Sequence, residues 1–188
     1  MNHLILASAS PRRQELLRLI TEKFTVMPAD ADETLPAGLP VANQIEVLAE
    51  RKAADIFAKH PDSAVIGSDT MVVVDGQPLG KPADTDDARR MLKMLSGRAH
   101  EVITGLAVLS PVGSRIGHRT TKVQFRDLSD GEIERYLATG EPLDKAGAYG
   151  IQGKGATLIT GIDGDYFSVV GLPVSMLYTM LDELGQLE

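Results

Sequence analysis

Val65-Ile66-Gly67-Ser68-Asp69-Thr70-Met71-Val72-Val73-Val74-Asp75-Gly76-Gln77 is the stretch on which the fold turns. Val65-Ile66 and Met71 to Val74 read as β-strand, and Asp75-Gly76 marks a hairpin turn into residues 77–80. Toward the N-terminus, Ile45, Leu48, Ala49, Ala53, Ile56 and Phe57 recur at helical spacing, predicting one long helix over 41–60. Before it stand a strand at 3–7, a helix from Pro11 to about Ile20 and a strand at 24–27. Ser10 is placed as N-cap of that first helix. Residues 28–40 hold three prolines and an acidic patch and read as loop. Toward the C-terminus come a helix at 86–95 stopped by Gly97, and strands at 100–109 and 119–126. A helix follows from Ser129 to Thr139, then a glycine-rich loop at 141–156, a strand at 157–162 and a helix at 173–184. Helices interspersed with strands predict an α/β or α+β sheet protein.

Composition narrows what such a fold does. At 188 residues, 43% hydrophobic and 24% charged, the chain is an ordinary globular domain with enough length for a core. The absence of cysteine excludes disulfides, thiolate zinc sites and a cysteine nucleophile. A net charge of −7, with four Phe, four Tyr and no Trp, argues against a nucleic-acid partner. No apolar run has the length of a membrane span. The stretch beginning Met1-Asn2-His3-Leu4 lacks a basic n-region, so no signal peptide is expected and the cytoplasm is the expected location. There is no phosphate-binding P-loop, no dinucleotide fingerprint and no paired-histidine zinc motif. An oxygen-ligated hard cation, Mg²⁺ or Mn²⁺, is the metal these residues suit.

Several side chains stand against local preference. Arg12 and Arg13 fall in the first turn of a helix, where the dipole favours acids. An anion shared between helix amides and guanidinium groups resolves that conflict; two solvated arginines on a capped helix do so too. Lys52 continues the apolar stripe of its helix, either snorkelling to water or projecting into a cleft to meet phosphate. Asp69 puts a carboxylate in apolar surroundings, where an unpaired charge costs several kcal/mol, roughly. It calls for a cation, a metal or strong donors, and this reading is preferred to an Asp capping a turn between two strands. Glu33, taken alone, reads as solvated surface. Lys81 lies between Gly80 and Pro82 on an extended mount, as a fixed ammonium or an ordinary turn lysine. The glycines of 147–155 permit close approach to a ligand, and Gln152 offers a donor and an acceptor to a base edge. A flexible loop is the plain alternative.

In order, Ser8-Ala9-Ser10-Pro11-Arg12-Arg13, Asp32-Glu33-Thr34, Ala49-Glu50-Arg51-Lys52-Ala53, Gly67-Ser68-Asp69-Thr70, Gly80-Lys81-Pro82, Leu95-Ser96-Gly97, Asp144 to Gly153, and Val170-Gly171-Leu172-Pro173 resemble the Maf family of nucleotide pyrophosphatases. The resemblance runs from end to end. It implies an elongated α/β fold related to inosine triphosphate pyrophosphatases: a single domain over 1–188, with a central twisted mixed sheet and two lobes around a cleft. It also implies a homodimer, a divalent metal and an association with septum formation.

Carried over by motif, the resemblance makes Asp69 the catalytic carboxylate and Glu33 its companion near the metal. Ser8, Arg12, Arg13, Lys52 and Lys81 become the triphosphate contacts. Arg12, Thr70 and Gln152 match the branch acting on dTTP and UTP, giving hydrolysis to the monophosphate and pyrophosphate as the expected reaction. Positioning, fixed charge and a metal that polarises phosphate oxygens carry most of such chemistry. Asp69 ligates the ion, accepts the proton of water, or does both. Two other readings stand beside this one: a 7-methyl-GTP or modified-nucleotide pyrophosphatase on the same scaffold, and a non-catalytic nucleotide-binding regulator. The second is disfavoured because a pure binder needs the cations but not a stranded carboxylate.

Overall fold

A computed structural model describes residues 3–187; Met1 and Asn2, where the N-terminal reading begins, and Glu188 lie outside the described residues. The elements run β1 (Leu4–Leu6), α1 (Pro11–Arg18), β2 (Thr25–Val26), α2 (Val41–Phe57), β3 (Ala64–Val74) and β4 (Gln77–Leu79). They continue with α3 (Thr85–Leu95), β5 (Ala99–Ser110), β6 (Gly113–Phe125), α4 (Asp130–Leu137), β7 (Ile159–Asp163), α5 (Tyr166–Val170) and α6 (Val174–Glu183). The strands form one sheet in the order β2-β1-β3-β5-β6-β7, with β4 on β3. β1 runs parallel to β2 and β3, whereas β3–β4 and β6–β7 are antiparallel, so the sheet is mixed and the fold is α/β. No helix among the described residues is long and apolar enough to cross a membrane.

The chain divides into two compact units. The first takes the chain through Asp69, Thr104–Arg119 and everything from Gly171 onward; the second takes Thr70–Ile103 and Thr120–Val170. In the first, Ile5, Ala7, Ala49, Ala53, Ile56, Val65 and Ala107 form a core cluster. In the second, the apolar faces of α3 and α4 close over Val72, Val102, Val123 and Phe125. Burying these stripes is what makes helices of this length stable.

Missing side chains set the seat of α2. A Cβ on Gly67 of β3 would lie 2.2 Å from the Ala49 carbonyl oxygen and 2.7 Å from the Ala53 nitrogen. One on Gly105 of β5 would lie 2.5 Å from the Ile45 carbonyl oxygen. Both strands therefore meet the helix backbone directly, a packing only glycine admits.

Three expectations change. β3 is one continuous strand of eleven residues, so Asp69 caps no turn between two strands. Pairing with β1 over residues 64–66 and with β4 over residues 72–74, with β5 on the other side, holds the strand continuous through the turn-like Gly67-Ser68 dipeptide. β6 starts at Gly113, six residues before the expected strand, because its polar first half lacks the alternation that marks a strand. The 141–156 stretch is not open loop but a string of short 3-10 turns continuing to Leu158. α5 was not expected from the sequence.

Candidate active site

The site in the first unit is assembled from the end of β1, the start of α1, the middle of α2 and the middle of β3. Ser10 caps α1, its hydroxyl accepting from the Arg13 amide at 3.4 Å, with Pro11 at the first helical position. Ser8 is buried, and its hydroxyl accepts from the Ser10 amide at 3.2 Å and from Arg13 Nη1 at 3.3 Å. Arg13 also donates through Nε to the Gly171 carbonyl at 2.8 Å. Two contacts therefore fix its guanidinium. Desolvation lowers its pKa from the ordinary arginine value; the Asp69 carboxylate opposes that shift, Arg12 adds to it, and Glu33 opposes it. Arg12 makes no ion pair among the described residues, and no acid stands in the first turn of α1.

Gly67 and Asp69 are two residues apart in β3 and so share the face that α2 covers. Close contact at Gly67 brings Lys52, next to Ala53, over the Asp69 carboxylate. Lys52 Nζ donates to Asp69 Oδ1 at 2.5 Å and pairs with Glu33 Oε1 at 2.9 Å. The Lys52 and Asp69 side chains are 15% and 14% exposed, while Glu33 is 71% exposed. The ammonium therefore turns inward and does not snorkel to water.

Glu33 is delivered by a loop that Arg51 grips. Arg51 Nη1 donates to the Asp32 carbonyl at 3.2 Å and the Thr34 carbonyl at 2.7 Å, and lies 3.6 Å from the Asp32 carboxylate. The Thr34 amide in turn donates to Asp32 Oδ1 at 2.9 Å; the Asp32 pKa is depressed first by the Thr34 side chain and then by this amide. Sequence reasoning gave Arg51 no role, since nothing distinguishes it from a solvated helix arginine.

Two groups thus form within the first unit, Ser8 with Arg13 and Lys52 with Asp69 and Glu33, and the Asp69 and Glu33 charges act on Arg13, which follows Arg12. Lys81, Thr70 and Gln152 belong to the second unit. Lys81 is exposed in the turn after β4, and the Gly80 carbonyl before it accepts from the Gly147 amide at 3.1 Å. Thr70 is half-buried in β3. Gln152 is exposed at the head of the last 3-10 turn.

The turns around Gln152 are organised by Glu141, which the sequence did not single out. Its carboxylate accepts from the Gly155 amide at 3.0 Å, the Lys154 amide at 3.1 Å and the Tyr136 hydroxyl at 2.9 Å. Burial raises the Glu141 pKa, but these donors outweigh it and hold the group below its usual range. A Cβ on Gly155 would lie 2.0 Å from the Gly150 carbonyl oxygen, so this position takes glycine for space.

The donor chemistry fits a hard divalent cation. Two carboxylates from separate segments already converge on one positive charge, and carboxylate oxygens are what Mg²⁺ and Mn²⁺ prefer. No group of three or more His, Cys, Asp or Glu side chains is gathered among the described residues. Water and phosphate oxygens would complete such a shell.

Residues 3–184 match the family described as Maf-like protein. The chain is 48% identical over 187 residues to the dTTP/UTP pyrophosphatase of Pelotomaculum thermopropionicum, covering 98% of each chain. It is 51% identical over 187 residues to the dTTP/UTP pyrophosphatase of Moorella thermoacetica, covering 98% of this chain and 96% of that one. With the Bacillus pumilus protein of the same name, identity is 49% over 185 residues and coverage 98% of each. Among solved structures, the Staphylococcus aureus Ham1 protein superposes with a TM-score of 0.57 at 16% identity, covering 96% of this chain and 98% of that one. At that identity the likeness is one of fold.

Proposed function

We propose, since this chain belongs to the Maf-like protein family, that it is a nucleoside triphosphate pyrophosphatase hydrolysing dTTP and UTP to the monophosphate and pyrophosphate. Relatives near half identity over almost the whole chain carry that activity in their names. The observation that carries the reading is the Lys52 ammonium seated between the Asp69 and Glu33 carboxylates.

In this reading Arg12, Arg13 and Lys52 bind the polyphosphate, Ser8 adds a hydroxyl contact and Lys81 supplies a further cation. Fixed charge of this kind stabilises the developing pyrophosphate without reorganising at the moment of reaction. Asp69 accepts the proton of the attacking water. The water oxygen bonds to phosphorus as the bond to the α–β bridging oxygen breaks, and pyrophosphate leaves with that electron pair. Asp69 and Glu33 would hold Mg²⁺ or Mn²⁺, which when bound polarises phosphate oxygens. Thr70 and Gln152 select the base through hydrogen bonds that a wrong base would leave unmade. The family relation also supports a cytoplasmic homodimer of single-domain subunits as the working form.

Purified protein is to be assayed against dTTP, UTP, 7-methyl-GTP and the other triphosphates, with and without Mg²⁺ or Mn²⁺. The expected result is metal-dependent release of monophosphate and pyrophosphate, with dTTP and UTP preferred. Asp69→Asn is expected to abolish turnover and keep the fold. Diphosphate plus phosphate as products, or an active Asp69→Asn, overturns the assignment.

A further inference from the structure

We infer that the Ser68 hydroxyl and the Gly171 carbonyl form a bracket that fixes Arg13 to the strand carrying Asp69. The inference rests on the pyrophosphatase reading of that site and adds residues to which it gives no role. Ser68 is fully buried in β3, on the face opposite Asp69. Its single hydroxyl proton is shared between the Gly105 carbonyl oxygen at 3.0 Å and the Gly171 carbonyl oxygen at 3.2 Å. The Gly171 oxygen accepts at the same time from Arg13 Nε at 2.8 Å. One carbonyl, with its two lone pairs, thus joins the residue next to Asp69 to the guanidinium placed for phosphate.

The motif Val170-Gly171-Leu172-Pro173 gains its purpose here. Gly171 connects α5 to α6 with a backbone φ of 135°, a conformation side chains resist, and so aims its carbonyl back at α1 and β3. A side-chain hydroxyl has no part in the β3 ladder, and burying one is costly unless it is bonded. Ser68 and Gly171 are therefore positioning residues. They hold Nε in a fixed orientation, so less freedom is lost when substrate arrives.

Ser68→Ala removes the donor with little change of volume, and Ser68→Cys keeps a weak one. For Ser68→Ala, kcat on dTTP is expected to fall roughly tenfold with KM within about twofold, because the loss is of alignment rather than binding. Ser68→Cys should fall between that variant and the wild type. In ¹⁵N NMR spectra recorded without substrate, the Arg13 Nε–H should exchange slowly in the wild type and faster in Ser68→Ala. Unchanged kcat, or a lower melting temperature with Arg13 Nε–H exchange unmoved, overturns the bracket. A wild type that releases no pyrophosphate overturns the functional reading alone, and the exchange rates then still decide the bracket.

Discussion

Lys52 gathers the electrostatics of the site into one ammonium, and its removal separates catalysis from stability. Lys52→Met keeps the stem but leaves two carboxylates without their shared cation. Losing one preorganised donor typically costs about 100- to 1000-fold in turnover, so kcat/KM for dTTP is expected to fall by that order. The fold should lose about 3–5 kcal/mol, because the 14% exposed Asp69 keeps its charge without a partner while the exposed Glu33 returns to water. Steady-state kinetics beside a urea titration check this; intact kinetics with lost stability would make Lys52 a core lysine. Arg13, Lys52 and Asp69 were legible in the sequence because each violates a preference of its element. Arg51, Ser68 and Glu141 were not, because they act on backbone carbonyls and amides 13 to 103 residues away, which no periodicity records.

Among the elements, α2 was read from its apolar stripe, and the sequence also placed Lys52 on that stripe. How the helix sits was not legible, since it depends on which strands it meets. The contact at Gly67 makes this testable. Gly67→Ala would push a methyl group into main-chain atoms of α2, which cannot swing aside. Overpacking of this kind costs about 1–3 kcal/mol, occasionally more, so the urea midpoint should drop and activity with it. Gly161→Ala in β7 meets nothing within 4 Å and is expected to stay within about 0.5 kcal/mol of wild type. Equal losses in both variants would mean the helix is not seated on bare backbone. The continuity of β3 is not legible for a related reason: Gly67-Ser68 has turn-like chemistry, and pairing before and after it in the sheet keeps it straight.

For the molecule as a whole, the alternation of elements sufficed to expect an α/β sheet, but not the strand order or the division into two units. No linker composition marks that division, because β3, β5 and β6 each contribute to both. The second unit carries a pH liability of its own. His100 is 3% exposed, wedged edge-on against Phe125 and Tyr149, with Nε2 at 2.6 Å from the Tyr149 hydroxyl. Its Nδ1 has no partner among the described residues. Burial, followed by the nearby Arg98 charge, lowers its pKa from 6.5 to about 4. Between those values the unfolded chain binds a proton that the folded one refuses. Stability present above pH 6.5 is therefore lost as pH falls toward 4, by about 3 kcal/mol at most. Glu132, held down to about 2 first by the Ser129 amide, loses its contribution only below its ordinary value of 4.5. Urea midpoints at pH 7.5, 6 and 5 should decline in the wild type and flatten in His100→Gln; parallel declines would clear His100. The first unit is anchored differently. Because α2 rests on bare main chain at Gly67 and Gly105, the lysine over Asp69 is carried by van der Waals contact, which neither protonation nor ionic strength weakens. Raising the salt concentration will screen the approach of a charged substrate long before it shifts the cation waiting for it.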